Sequence, residues 1–440
     1  MDQAWLDELA EFVRIPSVSA DASHAADVVA AAEWVAGFVR DAGGGAELVP
    51  WGERPLVVGE ISASNGAASA PTVLLYGHFD VQPPAPLEHW ESDPFDLEVR
   101  GDWAYGRGVA DDKGQLYALL KAGAALAAEG RLPVNLRVVC DGEEEVGGHS
   151  VVEYLEQDER GADACVIFDS GMIRRGVPAF AIATRGLAYL HVVVRTGSRD
   201  LHSGLYGGAA LNAAHALAKT LAGVLPRDGR APEPLRRGIV PPTEEELASW
   251  RELPPGGDEL ESQGARPADP AAAEEFYLRT FAEPALDVNG IETGSPHLQK
   301  TVLPVVAEAN VSIRLAPGQR PDEIGDALDQ LLREAAPEGA ELEIQHWTSS
   351  RSGLVPPDAK AIQLGLDAFE RAMGKRPLLV RSGGTLPIVP ALADKRIPAI
   401  VTGFAVPDSN IHSPNERILV EYLPLAVRAA TELYLSFAKL

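Results

Sequence analysis

Short apolar runs of strand length recur along this chain, and several of them end directly in histidine or acidic residues. Thr72 to Asp80 reads TVLLYGHFD, the run from Val134 to Cys140 leads into an acid-rich stretch, and the run from Cys165 to Phe168 precedes Asp169. Such runs are typical of buried strands, and α/β sheets place their chemistry beyond the carboxyl ends of their strands. The pattern therefore predicts that polar residues distant in sequence form one site.

The residues at these positions are of the types that bind metal ions. They are His78, Asp80, Asp111, Glu144, Glu145, Asp169 and His412. Successive strand residues point to opposite faces, so His78 and Asp80 share one side, where a carboxylate can fix the tautomer of a metal-bound imidazole. Taken alone, such a pair is more often a hydrogen-bonded pair on the surface.

The segment from Gly106 to Gly114 is rich in glycine and leads into a helical stretch from Gln115 to Ala128. A dinucleotide-binding loop is excluded, because no G-x-G-x-x-G is present and two adjacent aspartates would repel phosphate groups. Asp111 is the candidate ligand, although capping of the helix by Asp111 or Asp112 is an alternative. In the later pair of Glu144 and Glu145, one carboxylate can bind metal while the other carries protons.

Several segments, in order along the chain, resemble those of the M20 metallopeptidases and, within them, the carnosinase-like dipeptidases. The segments are Tyr76 to Pro83, Gly106 to Gly114, Glu143 to Gly147, Asp200 to Gly208, Arg381 to Pro387 and the surroundings of His412. The resemblance implies that the carboxylate of Asp111 bridges two divalent metal ions. It also implies that the peptide bond between Asp111 and Asp112 is cis, so that Asp111 can reach both ions. It implies further that His78 and Asp169 complete the shell of one ion, and that Glu145 and His412 complete that of the other.

The same resemblance implies hydrolysis of the peptide bond of dipeptides or short peptides with a free C-terminal carboxylate. A metal-bridged hydroxide would attack, Glu144 would be the general base and Asp80 would orient His78. Residues expected at the substrate are His202, Thr301, Arg314, Gly384 and Thr385. An N-acyl amino acid amidohydrolase, such as an acetylornithine deacetylase or succinyl-diaminopimelate desuccinylase, is the alternative. A binding module without chemistry is disfavoured, because all ligand positions and Glu144 are present together.

Two histidines and three carboxylates form a mixed nitrogen and oxygen set that suits Zn²⁺, Mn²⁺ or Co²⁺, with Zn²⁺ expected first. Two such ions about 3.5 to 4 Å apart can share a hydroxide. For Arg314, which lies in an apolar strand-like run, a substrate carboxylate and an internal salt bridge both remain open as partners.

Composition limits the partners of this chain. Its formal net charge of −26 disfavours nucleic acid and anionic membranes as partners. No signal or membrane segment is apparent, and Cys140 and Cys165 lie in apolar runs where buried thiols are expected. The expected location is therefore the reducing cytoplasm, and the expected partner is a small peptide.

The 440 residues, 46% of them hydrophobic, are long enough for two domains. Residues 1–184 alternate helical and strand patterns, and residues 351–440 return to that style. We therefore predict a three-layer α/β catalytic domain with a mixed, largely parallel sheet. For residues 185–350 we predict an inserted α+β domain, in which the segment from Arg230 to Pro270 runs over the surface. By resemblance this domain is a lid that mediates a homodimer and presents His202 to the partner's site.

Overall fold

The computed structural model describes residues 3–52, 54–383 and 386–440. Two compact units make up the chain. The first comprises Met1–Ile182, Val355–Val380 and Ala391–Leu440, and the second comprises Ala183–Leu354 and Arg381–Pro390. The first unit is therefore interrupted in sequence by the second.

The elements are numbered in chain order. The α-helices are α1 (Gln3–Val13), α2 (Ala25–Asp41), α3 (Lys113–Ala128), α4 (Ser150–Gln157), α5 (Ser203–Tyr206), α6 (Ala213–Val224), α7 (Glu244–Trp250), α8 (Gly256–Ser262), α9 (Pro321–Ala335), α10 (Lys360–Met373), α11 (Ile388–Asp394) and α12 (Tyr422–Phe437). The strands are β1 (Gly45–Val49), β2 (Leu56–Ile61), β3 (Thr72–His78), β4 (Glu98–Arg100), β5 (Trp103–Tyr105), β6 (Asn135–Asp141), β7 (Ala164–Phe168), β8 (Ala179–Thr184), β9 (Gly186–Arg195), β10 (Leu201–His202), β11 (Ala285–Glu292), β12 (Val302–Leu303), β13 (Val306–Leu315), β14 (Glu341–Ser350), β15 (Gly353–Leu354), β16 (Leu378–Ser382), β17 (Ala399–Thr402) and β18 (Arg417–Leu419).

The first unit is built around a mixed sheet whose strands run in the order β1-β2-β6-β3-β7-β17-β8. The central strands β6, β3, β7 and β17 pair in parallel, whereas β1, β2 and β8 add antiparallel pairs. Every residue of β6, β7 and β17 is buried, and strands buried on both faces need helices on both sides. The predicted mixed α/β class is thus confirmed, with parallel pairing concentrated at the centre of the sheet.

The second unit contains an antiparallel sheet with the order β11-β13-β9-β14. Alternate residues of β9, such as Leu190 and Val192, are buried in a core with residues of α6 and α9. The residues between them, such as Tyr189 and His191, are only partly buried. One face of this sheet therefore carries the helices, as the period of two in the sequence requires. A separate two-stranded pair joins β10 and β12.

Cys140 and Cys165 are free and fully buried, so the prediction of core thiols is confirmed. In the part of the chain that the structure describes, no helix combines the length and the apolar character needed to cross a bilayer.

Candidate metal centre

The sheet of the first unit brings the predicted ligands to one edge. β3 ends at His78, β6 leads into Glu144 and Glu145, and β7 is followed directly by Asp169. Because β6, β3 and β7 are parallel neighbours, their carboxyl ends meet. The other two ligands come from loops, Asp111 just before α3 and His412 in the segment between β17 and β18.

Five of these side chains form two groups that share Asp111. His78, Asp111 and Asp169 form one group, and Asp111, Glu145 and His412 form the other; in each, one ligand atom per residue lies within 4.8 Å of the others. His78 Nε2 lies 3.0 Å from Asp111 Oδ1 and 3.8 Å from Asp169 Oδ1. His412 Nε2 lies 3.0 Å from Asp111 Oδ2 and 3.1 Å from Glu145 Oε2. The two oxygens of Asp111 therefore face different groups.

The peptide bond between Asp111 and Asp112 is cis, as the resemblance implied. The side chain of Asp112 is fully buried, and its Oδ2 accepts a hydrogen bond from the His78 N–H at 3.3 Å. The structure thus gives the two adjacent aspartates different surroundings.

Asp80 connects His78 with the adjacent glutamates. His78 Nδ1 lies 3.1 Å from the Asp80 carbonyl oxygen and 3.3 Å from Asp80 Oδ1. The two carboxylate oxygens of Asp80 accept hydrogen bonds from the backbone N–H groups of Glu144, at 3.3 Å, and Glu145, at 3.1 Å. Asp80 therefore fixes the tautomer of His78 and also the backbone from which both glutamates extend.

Gln82 was not singled out from the sequence, although it lies in one of the segments that carry the resemblance. Its Nε2 donates to Glu145 Oε2 at 2.9 Å and to the Glu145 carbonyl oxygen at 3.1 Å. Glu145 Oε2, which accepts this hydrogen bond, is also the oxygen that faces His412. The sequence alone did not indicate this contact, because a single glutamine two residues after Asp80 forms no recognisable pattern.

Glu144 lies beside both groups but belongs to neither. Within residues 3–52, 54–383 and 386–440, its carboxylate forms no hydrogen bond or ion pair. Burial, together with the charges of Asp169 and Glu145, raises the pKa of Glu144 to about 7, although His78 opposes the shift. A free carboxylate with a pKa near neutrality can accept and return a proton.

Negative charge dominates the site. No Lys or Arg of the described chain forms an ion pair with Asp80, Asp111, Glu144, Glu145 or Asp169. Hydrogen bonds with Asp111 and Glu145 raise the pKa of His412 to about 10. Burial opposes ionisation of Asp111, yet the two histidines hold the pKa of its carboxyl well below its usual range. These surroundings favour added positive charge, and the imidazole and carboxylate donors fit divalent metal ions.

The predicted substrate residues that the structure describes lie in the second unit. His202 is exposed on β10 and its Nδ1 accepts the Gly204 N–H at 3.0 Å. Thr301 is also exposed, and its carbonyl oxygen accepts the Ser203 N–H at 2.9 Å. Arg314 is half-buried on β13. Gly384 and Thr385 lie outside the described residues.

Comparisons with known proteins identify relatives of this chain. Residues 74–436 match the model of Peptidase family M20/M25/M40. Cysteinylglycine-S-conjugate dipeptidase of Corynebacterium striatum is 28% identical over 444 residues, covering 98% of this chain and 95% of the relative. Human Beta-Ala-His dipeptidase is 29% identical over 384 residues, covering 83% and 74%. The M20 family metallo-carboxypeptidase Sso-CP2 from Sulfolobus solfataricus superposes with a TM-score of 0.83 at 26% identity, over 100% of both chains. The chain therefore belongs to peptidase family M20/M25/M40.

Proposed function

We propose that this protein is a metal-dependent dipeptidase that hydrolyses the peptide bond of dipeptides or short peptides with a free C-terminal carboxylate. One observation carries the proposal: two metal-type ligand groups share Asp111 and lie beside Glu144, a carboxylate that belongs to neither group. The names of the relatives, two dipeptidases and a carboxypeptidase, agree with substrates that end in a free carboxylate.

The two groups would hold two divalent ions, with Zn²⁺ proposed first and Mn²⁺ or Co²⁺ as alternatives. His78 and Asp169 would bind one ion, Glu145 and His412 the other, and Asp111 would bind both. The chemistry that such a pair of ions supplies is Lewis-acid activation of water and of the scissile carbonyl group. Asp80 would keep His78 in the tautomer that leaves Nε2 free as a ligand atom.

Glu144 would move the protons of the reaction. Its backbone is held by Asp80, and its carboxylate is free of hydrogen-bond partners in the described chain. It would take a proton from the attacking water and deliver it to the nitrogen of the leaving amine, which would otherwise depart as an unstable anion.

Arg314 would bind the C-terminal carboxylate of the substrate. Among the residues that the structure describes, none accepts a hydrogen bond from its guanidinium group, which supports a substrate carboxylate as its partner. Burial, followed by the charge of the neighbouring Arg314, lowers the pKa of Arg185 to about 10, although the charge of Asp287 opposes the shift. Two guanidinium groups that repel each other favour an anion beside them, and Asp287 supplies only one negative charge to the pair.

Replacement of Arg314 tests this assignment. We expect Arg314→Met to lower kcat/KM for a dipeptide by about 10- to 100-fold, because hydrogen bonds to charged groups contribute about 1.5–3 kcal/mol. The same variant should hardly change the slower hydrolysis of the dipeptide amide, which lacks the carboxylate. Arg195→Met, at an exposed arginine of β9, is the matched control. If kcat/KM fell equally for the dipeptide and for its amide, Arg314 would not be the residue that binds the substrate carboxylate.

The second unit would also form a homodimer. Large apolar side chains of the second unit are exposed, including Leu205 at 76%, Ile291 at 62% and Leu298 at 58%. Exposed apolar surface of this kind marks interaction sites. A second copy of the chain would cover it, with His202 contributing to the partner's active site and Thr301, Gly384 and Thr385 contacting substrate. We place the enzyme in the cytoplasm, where its two buried thiols stay reduced.

Metal removal tests the cofactor. We expect dialysis against a chelator to abolish peptidase activity and to lower the unfolding temperature, because ions that bind only the folded chain stabilise it. Adding Zn²⁺, Mn²⁺ or Co²⁺ should restore both, and elemental analysis should give two ions per chain. A chelator saturated with Zn²⁺ beforehand is the control. Full activity without bound metal would refute the proposal.

The substrate class is tested with a panel of dipeptides compared with acetylornithine and succinyl-diaminopimelate. We expect the highest kcat/KM for a dipeptide. A higher kcat/KM for either acylated compound than for every dipeptide would instead identify an N-acyl amino acid amidohydrolase that uses the same site.

A further inference from the structure

Glu416 is a fully buried carboxylate whose oxygens both accept hydrogen bonds from the loop that carries Asp111. Its Oε1 accepts the backbone N–H groups of Ala110, at 2.9 Å, and Asp111, at 3.1 Å. Its Oε2 accepts the Gly108 N–H at 3.0 Å and Arg107 Nη1 at 2.7 Å. Glu416 lies four residues after His412, so one carboxylate joins the segments of two candidate ligands.

Arg107, the ion-pair partner of Glu416, extends this connection. Its side chain is also buried, and its Nη2 lies 3.4 Å from the Ser413 carbonyl oxygen and 3.5 Å from that of Pro83. Ser413 follows His412 directly, and Pro83 follows the segment of His78 and Asp80. The Arg107–Glu416 pair therefore contacts three of the segments that supply the site.

Gln115 holds the same loop from its other side. Its Nε2 donates to the carbonyl oxygens of Ala110, at 2.8 Å, and Ser170, at 3.2 Å, and its Oε1 accepts the Phe404 N–H at 2.6 Å. Ser170 follows the ligand Asp169. The peptide unit between Ala110 and Asp111 is consequently fixed at both ends, its carbonyl oxygen by Gln115 and its N–H by Glu416.

We propose that Glu416 and Gln115 are positioning residues that set the place of Asp111 and thereby the affinity for both metal ions. The inference rests on the proposed function, in which Asp111 is the shared ligand. A shared carboxylate can serve two ions only when its plane is correctly oriented, and that orientation depends on the peptide unit from which it extends. Loss of either contact should therefore weaken both ions together.

The test is Glu416→Gln in the full-length protein. The amide keeps the shape of the side chain but turns one acceptor into a donor that faces N–H groups. Removal of supporting contacts around metal ligands typically costs about 10- to 100-fold in affinity. We expect the dissociation constants for both Zn²⁺ ions, measured in competition with a chromophoric chelator, to rise by about that factor. The electronic spectrum of the Co²⁺ form should change as well.

Asp158→Asn is the matched control. The carboxylate of Asp158 accepts hydrogen bonds from both Nη atoms of the buried Arg137, at 2.7 and 2.6 Å, and from the Gly161 N–H at 3.0 Å. It thus also joins a buried arginine to backbone, but Arg137 lies near the start of β6, whereas the ligands follow the end of that strand. We expect Asp158→Asn to lower the unfolding temperature and to leave Zn²⁺ affinity and the Co²⁺ spectrum unchanged.

Gln115→Met gives a second measurement that does not depend on the folding of Glu416→Gln. It keeps the volume of the side chain and removes all three hydrogen bonds, so Zn²⁺ affinity should again fall for both ions. Wild-type affinity in Gln115→Met, or in a folded Glu416→Gln, would overturn the inference. Failure of the wild-type chain to bind two ions would instead reject the proposed function.

Discussion

Glu144→Gln is expected to lower kcat by about 10²- to 10⁴-fold, the usual contribution of a positioned acid or base, and to leave the metal content unchanged. The reason is that glutamine has the shape of glutamate but cannot accept a proton. The backbone N–H of residue 144 would still donate to Asp80, so the local structure should persist. Steady-state kinetics and elemental analysis after dialysis check the two halves of this expectation.

Glu145→Gln is the matched variant, one residue along the chain. Here the carboxylate oxygen at 3.1 Å from His412 Nε2 is one of the candidate ligand atoms, so the amide should lose metal as well as activity. The hydrogen bond from Gln82 would also be lost or reversed. Equal metal loss in both variants would show that the roles of the two glutamates are divided wrongly.

The edge of the sheet that carries the candidate ligands could be predicted from the sequence because its determinants are local. Each of His78 and Asp169 ends or directly follows an apolar run, and parallel neighbouring strands bring such positions together. The family resemblance added what the runs could not, namely the expectation that two ions share Asp111.

The contacts that support this edge could not be predicted in the same way. Glu416 and the Ala110 N–H that it binds are 306 residues apart, and Gln115 and the Phe404 N–H are 289 apart. A single buried polar residue leaves no periodic pattern in a sequence. Its role follows only from the donors and acceptors that surround it, because buried polar groups must be paired.

The second unit shows a related limit. β11, Ala285–Glu292, was not recognised, because most of its residues are partly or fully exposed and its pattern is weakly apolar. The proline-rich stretch from Arg230 to Pro270 was expected to run over the surface; most of its residues are partly or fully exposed, but it also forms the helices α7 and α8, which were not predicted. It also contributes Glu246 to a fully buried ion pair with Arg381, at 2.6 Å. Tertiary pairing of this kind overrides the local signal of proline and acid.

Hybrid dimers should recover activity that neither parent variant has. In the proposed homodimer, each active site needs Glu144 from one protomer and His202 from its partner, where the imidazole would stabilise the oxyanion of the tetrahedral intermediate. Glu144→Gln and His202→Ala should therefore each be nearly inactive as homodimers. A hybrid of the two contains one site with both residues intact and one site with neither.

Unfolding and refolding equal amounts of the two variants together should make about half of the dimers hybrid. One intact site in each hybrid then gives roughly a quarter of the wild-type activity, if pairing is random. Each variant refolded alone is the control, and native mass spectrometry counts the hybrids. If His202 acted within its own protomer, each site of a hybrid would take both residues from one chain. One site would then lack Glu144 and the other would lack His202, so both would stay inactive. Confirmed hybrids without recovered activity would therefore place His202 in its own protomer's site or outside catalysis.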